Sequence, residues 1–221
     1  MVLSSIVADA IWRGKNAAIA TLELDGRKQL ERVLANVLNC TIDEVQRVDP
    51  IVRHRLAEVG PKLGKIVTQR FAPDTPVGEI TAWAERVQQD WGAKMDLLAV
   101  DYIDLVGSGK NGKDEGDYKA QKTVGNAFRD HALEHKYYVI SATQGRRSSG
   151  TGGKSLDVDD AADSQHKVRI ADMVIAMRME LESKDLVDWY LILNRDGTDR
   201  IGTGSLPANR AMARMFPVNR R

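Results

Sequence analysis

The sequence predicts an α/β fold: a mostly parallel sheet flanked by helices, with antiparallel strands at its C-terminal edge. Three observations predict it. Short apolar runs alternate with longer stretches of helical period through the first two-thirds of the chain, the pattern of a sheet covered on both faces. Two of those runs stop at an acid, Glu23 and Asp101, as strands do where they leave the core. The closing runs, 173–177 and 187–193, follow each other with no helix between them, so that edge is antiparallel.

Leu3, Ile6, Val7, Ala10 and Ile11 recur at helical spacing, and Gly14 follows as terminator. Residues 16–22 are a buried strand. Residues 26–38 form a helix, and a second helical stretch runs from Asp43 to about Val59 before Gly60-Pro61 breaks it. Ile66-Val67 marks a short strand. Thr75-Pro76 is a helix start, a capping hydroxyl followed by proline at the first helical position. Val77, Ile80, Ala84, Val87 and Trp91 share one face of that helix, and Gly92 ends it. The run 95–102 is an apolar strand finishing in Asp101-Tyr102. A Gly/Lys/Asn-rich loop covers 107–116, and Ala120, Val124, Ala127, Phe128 and Ala132 stripe the next helix. A strand at 137–142 leads to a second loop, 145–154, rich in Gly, Ser, Arg and Lys. A helix near 161–167, the two closing strands and a last strand near 212–216 complete the pattern. No internal repeat or long linker divides the chain, so residues 1–221 are expected to form a single domain.

With a net charge of +1 the molecule is no polycation, so any contact with nucleic acid must come from local basic loops. One cysteine, Cys40, allows neither an internal disulfide nor a multi-cysteine zinc site and fits a reducing cytoplasm. No apolar run approaches the roughly 18 residues of a membrane span, and no signal peptide opens the chain. A cytoplasmic location is expected, with no membrane partner.

In a doubly wound sheet, ligands sit beyond the carboxyl ends of the strands. Glu23, Asp101 and Gln144 fall at such ends. An acid after an apolar strand can hold Mg²⁺ directly or through water, although the same pattern also serves plain loops. The segment Leu97-Leu-Ala-Val-Asp101-Tyr102-Ile103-Asp104-Leu105 resembles the apolar-run-Asp-Tyr-Leu-Gln-Leu motif of the DnaB replicative-helicase family, with Asp104 in place of Gln. Val139-Ile-Ser-Ala-Thr-Gln144 resembles that family's strand ending in Ser-Gln, and Ala20-Thr-Leu-Glu23-Leu24 its Ser-Leu-Glu-Met segment. Ile170-Ala-Asp-Met-Val174 is similar to its Ala-Asp-Val-Val strand, and Leu193-Asn-Arg195-Asp-Gly197 to its Lys-Gln-Arg-Asn-Gly element. Each motif is short; five in the family's order carry the resemblance from Glu23 to the C-terminus.

The resemblance implies a RecA-like ATPase core that uses ATP and Mg²⁺ to move on single-stranded DNA. Glu23 would polarise the attacking water, Asp101 would hold the Mg²⁺ shell, and Gln144 would sense the γ-phosphate. Arg195 would reach the neighbouring subunit's nucleotide, which implies a ring oligomer, a hexamer by the family's pattern, with a primase or helicase loader as further partner. Two departures stand out. Leu193 replaces the family's usual lysine, with Arg200 the nearest cation that could substitute. No Gly-x-x-x-x-Gly-Lys-Ser/Thr run occurs in the chain; Gly107-Ser-Gly-Lys110 and Gly150-Thr-Gly-Gly-Lys154 follow the wrong strands and lack the spacing. In the family the helix read at 3–11 starts inside that motif. The expectation is therefore that the chain begins just after it, binds ATP weakly alone, and needs a companion segment carrying the loop.

Lys110 and Lys113 in the first loop, and Arg146, Arg147 and Lys154 in the second, are the candidate single-strand contacts, against the alternative of solvated basic loops. His131 and His135 stand four apart on a helix, a metal-binding spacing for which the sequence offers no third ligand. Cys40, Trp83 and Trp91 read as packing residues, and Arg210, Arg214, Arg220 and Arg221 as a solvated tail. Two other classes share part of this pattern: a RecA- or KaiC-like recombination or regulatory ATPase, and a non-catalytic module that joins or loads a helicase. The Asp-Tyr-Ile-Asp-Leu and Asn-Arg-Asp-Gly segments favour the helicase over the first, and retention of all four polar residues argues against the second.

Overall fold

β1 (Ala17–Thr21), β2 (Ile66–Arg70), β3 (Leu97–Asp101) and β4 (Tyr138–Ser141) form a parallel sheet in the order β2-β1-β3-β4. This is a computed structural model, and it describes residues 1–109, 117–143, 170–179, 186–195, 197 and 203–215. The helices are α1 (Val2–Trp12), α2 (Gly26–Leu38), α3 (Ile42–Gln46), α4 (Pro50–Val59), α5 (Val77–Trp91) and α6 (Asp117–His135). β5 (Met173–Met179), β6 (Leu186–Asn194) and β7 (Thr203–Pro207) make a second, antiparallel sheet, as the absence of an intervening helix predicts.

Alternation along β1 and β3 divides the core into two layers. Ala17, Ile19, Leu97 and Ala99 face α1, α2, α3 and α4, packing on Val7, Ile11, Val33, Val37 and Leu38. Ala18, Ala20, Leu22, Leu98 and Val100 face α5 and α6, packing on Ile80, Trp83, Val87, Val124 and Phe128. Both central strands are therefore apolar up to their last residues, Thr21 and Asp101, because each successive side chain meets a helical layer. Alanine at three of the five β1 positions lets α1 and α5 approach the sheet closely.

Several elements differ from the sequence reading. The helical stretch 43–59 is two helices: Val48 takes a left-handed φ of 51°, Asp49 caps the second helix through Ile51 N–H, and Pro50 opens it. Thr75 does not cap α5; its hydroxyl bonds to the Ala72 carbonyl and Pro76 occupies the cap position. Gly92 ends α5 with a left-handed φ of 55°, as its position predicts. The strand expected near 212–216 is not found in its described part. Residues 211–213 turn, and the third antiparallel strand is β7, whose Thr-Gly-Ser-Leu-Pro sequence carries too little apolar patterning to be read as one. The helix near 161–167 and the loop stretches 110–116 and 145–154 lie outside the described residues.

Arg210 and Arg214 do not belong to a solvated tail. Residues 208–215 fold back on α1 and α2, burying Ala208, Ala213 and Met215. The buried Asn36 amide nitrogen lies 2.9 Å from the carbonyl oxygens of Arg32, Met212 and Ala213. Ser5 Oγ accepts from Met215 N–H, and the Ile42 N–H donates to the Ala211 carbonyl. Truncating Asn36 leaves buried carbonyls without that donor, at a cost of about 1–3 kcal/mol. Asn36→Ala is therefore expected to lower the urea midpoint and to make trypsin cut first at Arg210 and Arg214. Unchanged cleavage order in limited proteolysis would contradict this anchoring.

Candidate active site

The register of β1 on β3 sets Thr21 opposite Asp101, so both strands stop at one level. Leu22 N–H donates to the Asp101 carbonyl at 2.8 Å, extending the pairing by one residue. The chain then turns. Thr21 Oγ1 accepts from Leu24 N–H at 3.0 Å and donates to the Leu24 carbonyl at 2.9 Å, closing a tight loop that leaves Glu23 exposed at its tip. Asp25 accepts from Arg27 N–H and starts α2. A strand end, a three-residue hydroxyl-locked turn and a capped helix together hold Glu23 beside Asp101.

Asp101 is half-buried, and its peptide bond to Tyr102 is cis. Its Oδ2 accepts from the Gln29 side-chain amide, and Gln29 Oε1 in turn accepts from Ser4 Oγ at 3.3 Å. Gln29 is almost wholly buried on the face of α2 that carries Val33 and Val37, and Ser4 lies buried on α1. A polar relay thus crosses from α1 through α2 to the strand-end acid. Sequence reading missed Gln29; a glutamine on the Val33/Val37 stripe of an amphipathic helix was the signal available.

Burial pushes the Asp101 carboxyl above its ordinary range, and the nearby Glu23 charge pushes it the same way. The Met1 ammonium and the Arg32 guanidinium oppose that shift without cancelling it. The upward shift therefore comes from loss of hydration, with Glu23 adding to it, while the neighbouring cations favour the ionised carboxylate. The start of α1 stands close enough for the Met1 ammonium to feel both Asp101 and Arg32.

β4 ends on the same edge, with Ser141 opposite Val100 and its hydroxyl donating to the Val100 carbonyl at 2.7 Å. Gln144 lies outside the described residues, three positions past that end, and so do Lys110, Lys113, Arg146, Arg147 and Lys154. Arg195 belongs to the other sheet. It is exposed just past β6, and its N–H donates to the Asp172 carbonyl at 2.9 Å. Of the four expected catalytic positions, Glu23 and Asp101 come together on one strand edge, and Arg195 sits on a separate element.

A carboxyl whose folded pKa is raised is more protonated folded than unfolded. It lowers stability as pH rises from its ordinary value through the raised one, and that penalty is fully present at neutral pH. Asp101→Asn removes the penalty while keeping an acceptor for Gln29. The variant is expected to melt about 2 °C or more above the parent at pH 7, with the gap closing below about pH 4. A melting temperature below the parent's at pH 7 would count against a strained carboxylate here.

No family model matches the chain. A probable plasmid replicative DNA helicase from Chlamydia psittaci is 24% identical over 169 residues, covering 74% of this chain and 36% of that protein. The chain thus spans about a third of the length of that curated relative. Among solved structures, one described as an ATPase domain superimposes with a TM-score of 0.77 at 16% identity, covering 96% of this chain and 79% of the other. A DnaB-like replicative helicase, solved for its interactions with primase, gives a TM-score of 0.77 at 17% identity over 97% of this chain and 54% of the other. The chain is similar in sequence to a replicative DNA helicase and has the fold of DnaB-like helicase ATPase domains.

Proposed function

We propose that this chain is the ATPase motor domain of a DnaB-like replicative helicase, hydrolysing ATP to translocate on single-stranded DNA and unwind duplex. The observation that carries the reading is the pairing of Glu23 and Asp101 at the adjacent ends of β1 and β3, within a fold shared with helicase ATPase domains.

The chemistry follows from what each side chain can do. Glu23, free of burial at the tip of its turn, orients a water for in-line attack and accepts its proton. Asp101, steadied by Gln29 and with Glu23 beside it, would hold the hydration shell of Mg²⁺; two carboxylates at one rim suit a hard divalent cation. Bound there, Mg²⁺ supplies charge neutralisation on the phosphates. Gln144 follows the end of β4 and would report the γ-phosphate to the loop 145–154. Arg195 would act on the nucleotide of a neighbouring protomer, which makes a ring, hexameric by the same reading, necessary for fast turnover. Lys110, Lys113, Arg146, Arg147 and Lys154 would track the phosphates of one DNA strand in the central channel. A primase or loader is the further partner this role requires.

The phosphate-binding loop belongs, on this reading, to a companion segment outside these residues. Two open edges support that. Among the described residues β4 pairs with β3 alone and β5 with β6 alone, and Tyr138, Met173 and Ile175 are exposed apolar residues on those strands. Unpaired, partly apolar edges are a liability that a further strand would remove. Such a strand, leading into the phosphate loop and then α1, would join the two sheets.

The 221 residues alone are expected to bind labelled ATP more weakly than micromolar. Completed with a loop-bearing segment, the protein should hydrolyse ATP in response to single-stranded DNA and open a forked duplex. Glu23→Gln in the completed protein should cut turnover by about 100-fold or more while sparing nucleotide-dependent DNA binding. Turnover within a few-fold of the parent's would remove Glu23 from the chemistry. ATPase activity without fork opening would point to the recombination or regulatory class instead.

A further inference from the structure

At the opposite rim of the parallel sheet, where β4 begins, α6 ends in a cluster that the motor chemistry does not use. His131 and His135 lie four residues apart on α6, and Glu85 reaches them from α5. His131 Nε2 is 2.9 Å from Glu85 Oε1, and His135 Nε2 is 3.6 Å from the same oxygen. The two imidazoles stack with centroids 4.2 Å apart. We propose that Glu85, His131 and His135 form a zinc site that clamps α5 to α6 at the start of β4.

The geometry supports the assignment in two ways. One ligand atom from each residue can be chosen so that all three lie within 4.8 Å of one another. Tetrahedral zinc with bonds of about 2.0–2.1 Å sets its ligands roughly 3.3–3.4 Å apart, and the two Glu85 distances bracket that value. Because a metal lies in the plane of each imidazole it binds, binding would turn one of the two stacked rings out of the stack so that both Nε2 atoms face one ion.

The surroundings supply what metal-bound histidine needs. His131 Nδ1 lies 2.5 Å from the hydroxyl of Tyr137. With Nε2 on the metal, Nδ1–H donates to that oxygen, which fixes the ring plane and the tautomer. Tyr137 is itself buried, so its hydroxyl is held in place as that partner. Glu85 and His135 remain partly open to solvent, giving an entry path and a fourth position for water. Two imidazoles and one carboxylate favour zinc over Mg²⁺, which prefers an all-oxygen shell. The metal-free arrangement of the same atoms has His131 Nε2–H donating to Glu85 and the Tyr137 hydroxyl donating to Nδ1. The experiment decides between them.

The test titrates the full chain, stripped with chelator, with ZnCl₂, and in parallel with CoCl₂ followed by visible absorption. Expected are one zinc per chain, an intense four-coordinate cobalt spectrum, and a melting temperature raised by about 5–10 °C at a hundredfold excess over Kd. Glu85→Gln and His135→Asn alter partly exposed side chains and leave the buried His131–Tyr137 contact in place. Each should weaken zinc binding at least tenfold and remove the thermal shift, while MgCl₂ should produce no shift through this cluster. Absence of stoichiometric zinc binding, or binding indifferent to both substitutions, would overturn the proposal and leave a hydrogen-bonded Glu–His–Tyr cluster.

Discussion

Parallel pairing of β1 against β3, with Thr21 level with Asp101, is the constraint on which the rest of the described chain depends. Backbone bonds hold that level, and Leu22 N–H reaching the Asp101 carbonyl extends it by one residue beyond β1. Because the strands run in one direction, their ends form a common rim. Glu23 and Asp101, far apart along the chain, therefore emerge within electrostatic reach of each other. A one-residue slip would turn every β3 side chain to the other layer, moving Leu98 and Val100 away from α5 and α6. The hydrophobic division between the layers thus enforces the position of the acid, and core packing becomes a positioning device for chemistry.

The rim is also where the molecule departs from its own folding rules. Burial and Glu23 both work against ionisation of Asp101, and Gln29 places a polar group on an otherwise apolar stripe of α2. An apolar residue at position 29 would pack at least as well and would leave the acid without its donor. The polar relay Ser4–Gln29–Asp101 makes sense as a restraint on one carboxylate: it ties the acid to both helices on that face of the sheet. Local cost at a strand end, borne by a well-packed centre, is the expected signature of a site that binds charge.

Sequence made the centre legible and the margins less so, for physical reasons. β1 and β3 are apolar up to their last residues, Thr21 and Asp101, a pattern that suits a doubly covered strand, so the sequence alone locates Glu23 and Asp101 at strand ends. β7 escaped because its glycine and proline carry no strand preference; its place comes from pairing with β6. The break at Val48 escaped because one left-handed residue leaves the helical period intact on either side. Gln29 and Glu85 were invisible as partners for a different reason. Each meets its target across the fold, Gln29 72 residues from Asp101 and Glu85 46 from His131, and spacing along a chain says nothing about such encounters.

α6 ties the two ends of the structure together. It starts just after the Gly/Lys/Asn-rich stretch 107–116 and runs to His135, a span of nearly 30 Å at the helical rise. Its middle is held by Val124 and Phe128 in the core and by Arg129, whose guanidinium bonds to the Ile170 carbonyl and the Asp172 carboxylate ahead of β5. Its far end is held by Glu85 and Tyr137. A helix held at its middle and its end ties the parallel sheet, through Arg129, to the residues that lead into the second sheet. Tightening the far clamp with a metal would stiffen this helix without touching the rim where nucleotide chemistry is proposed. A change in the histidine cluster should therefore alter stability of the α5–α6 layer while leaving the charge balance at Asp101 as it is.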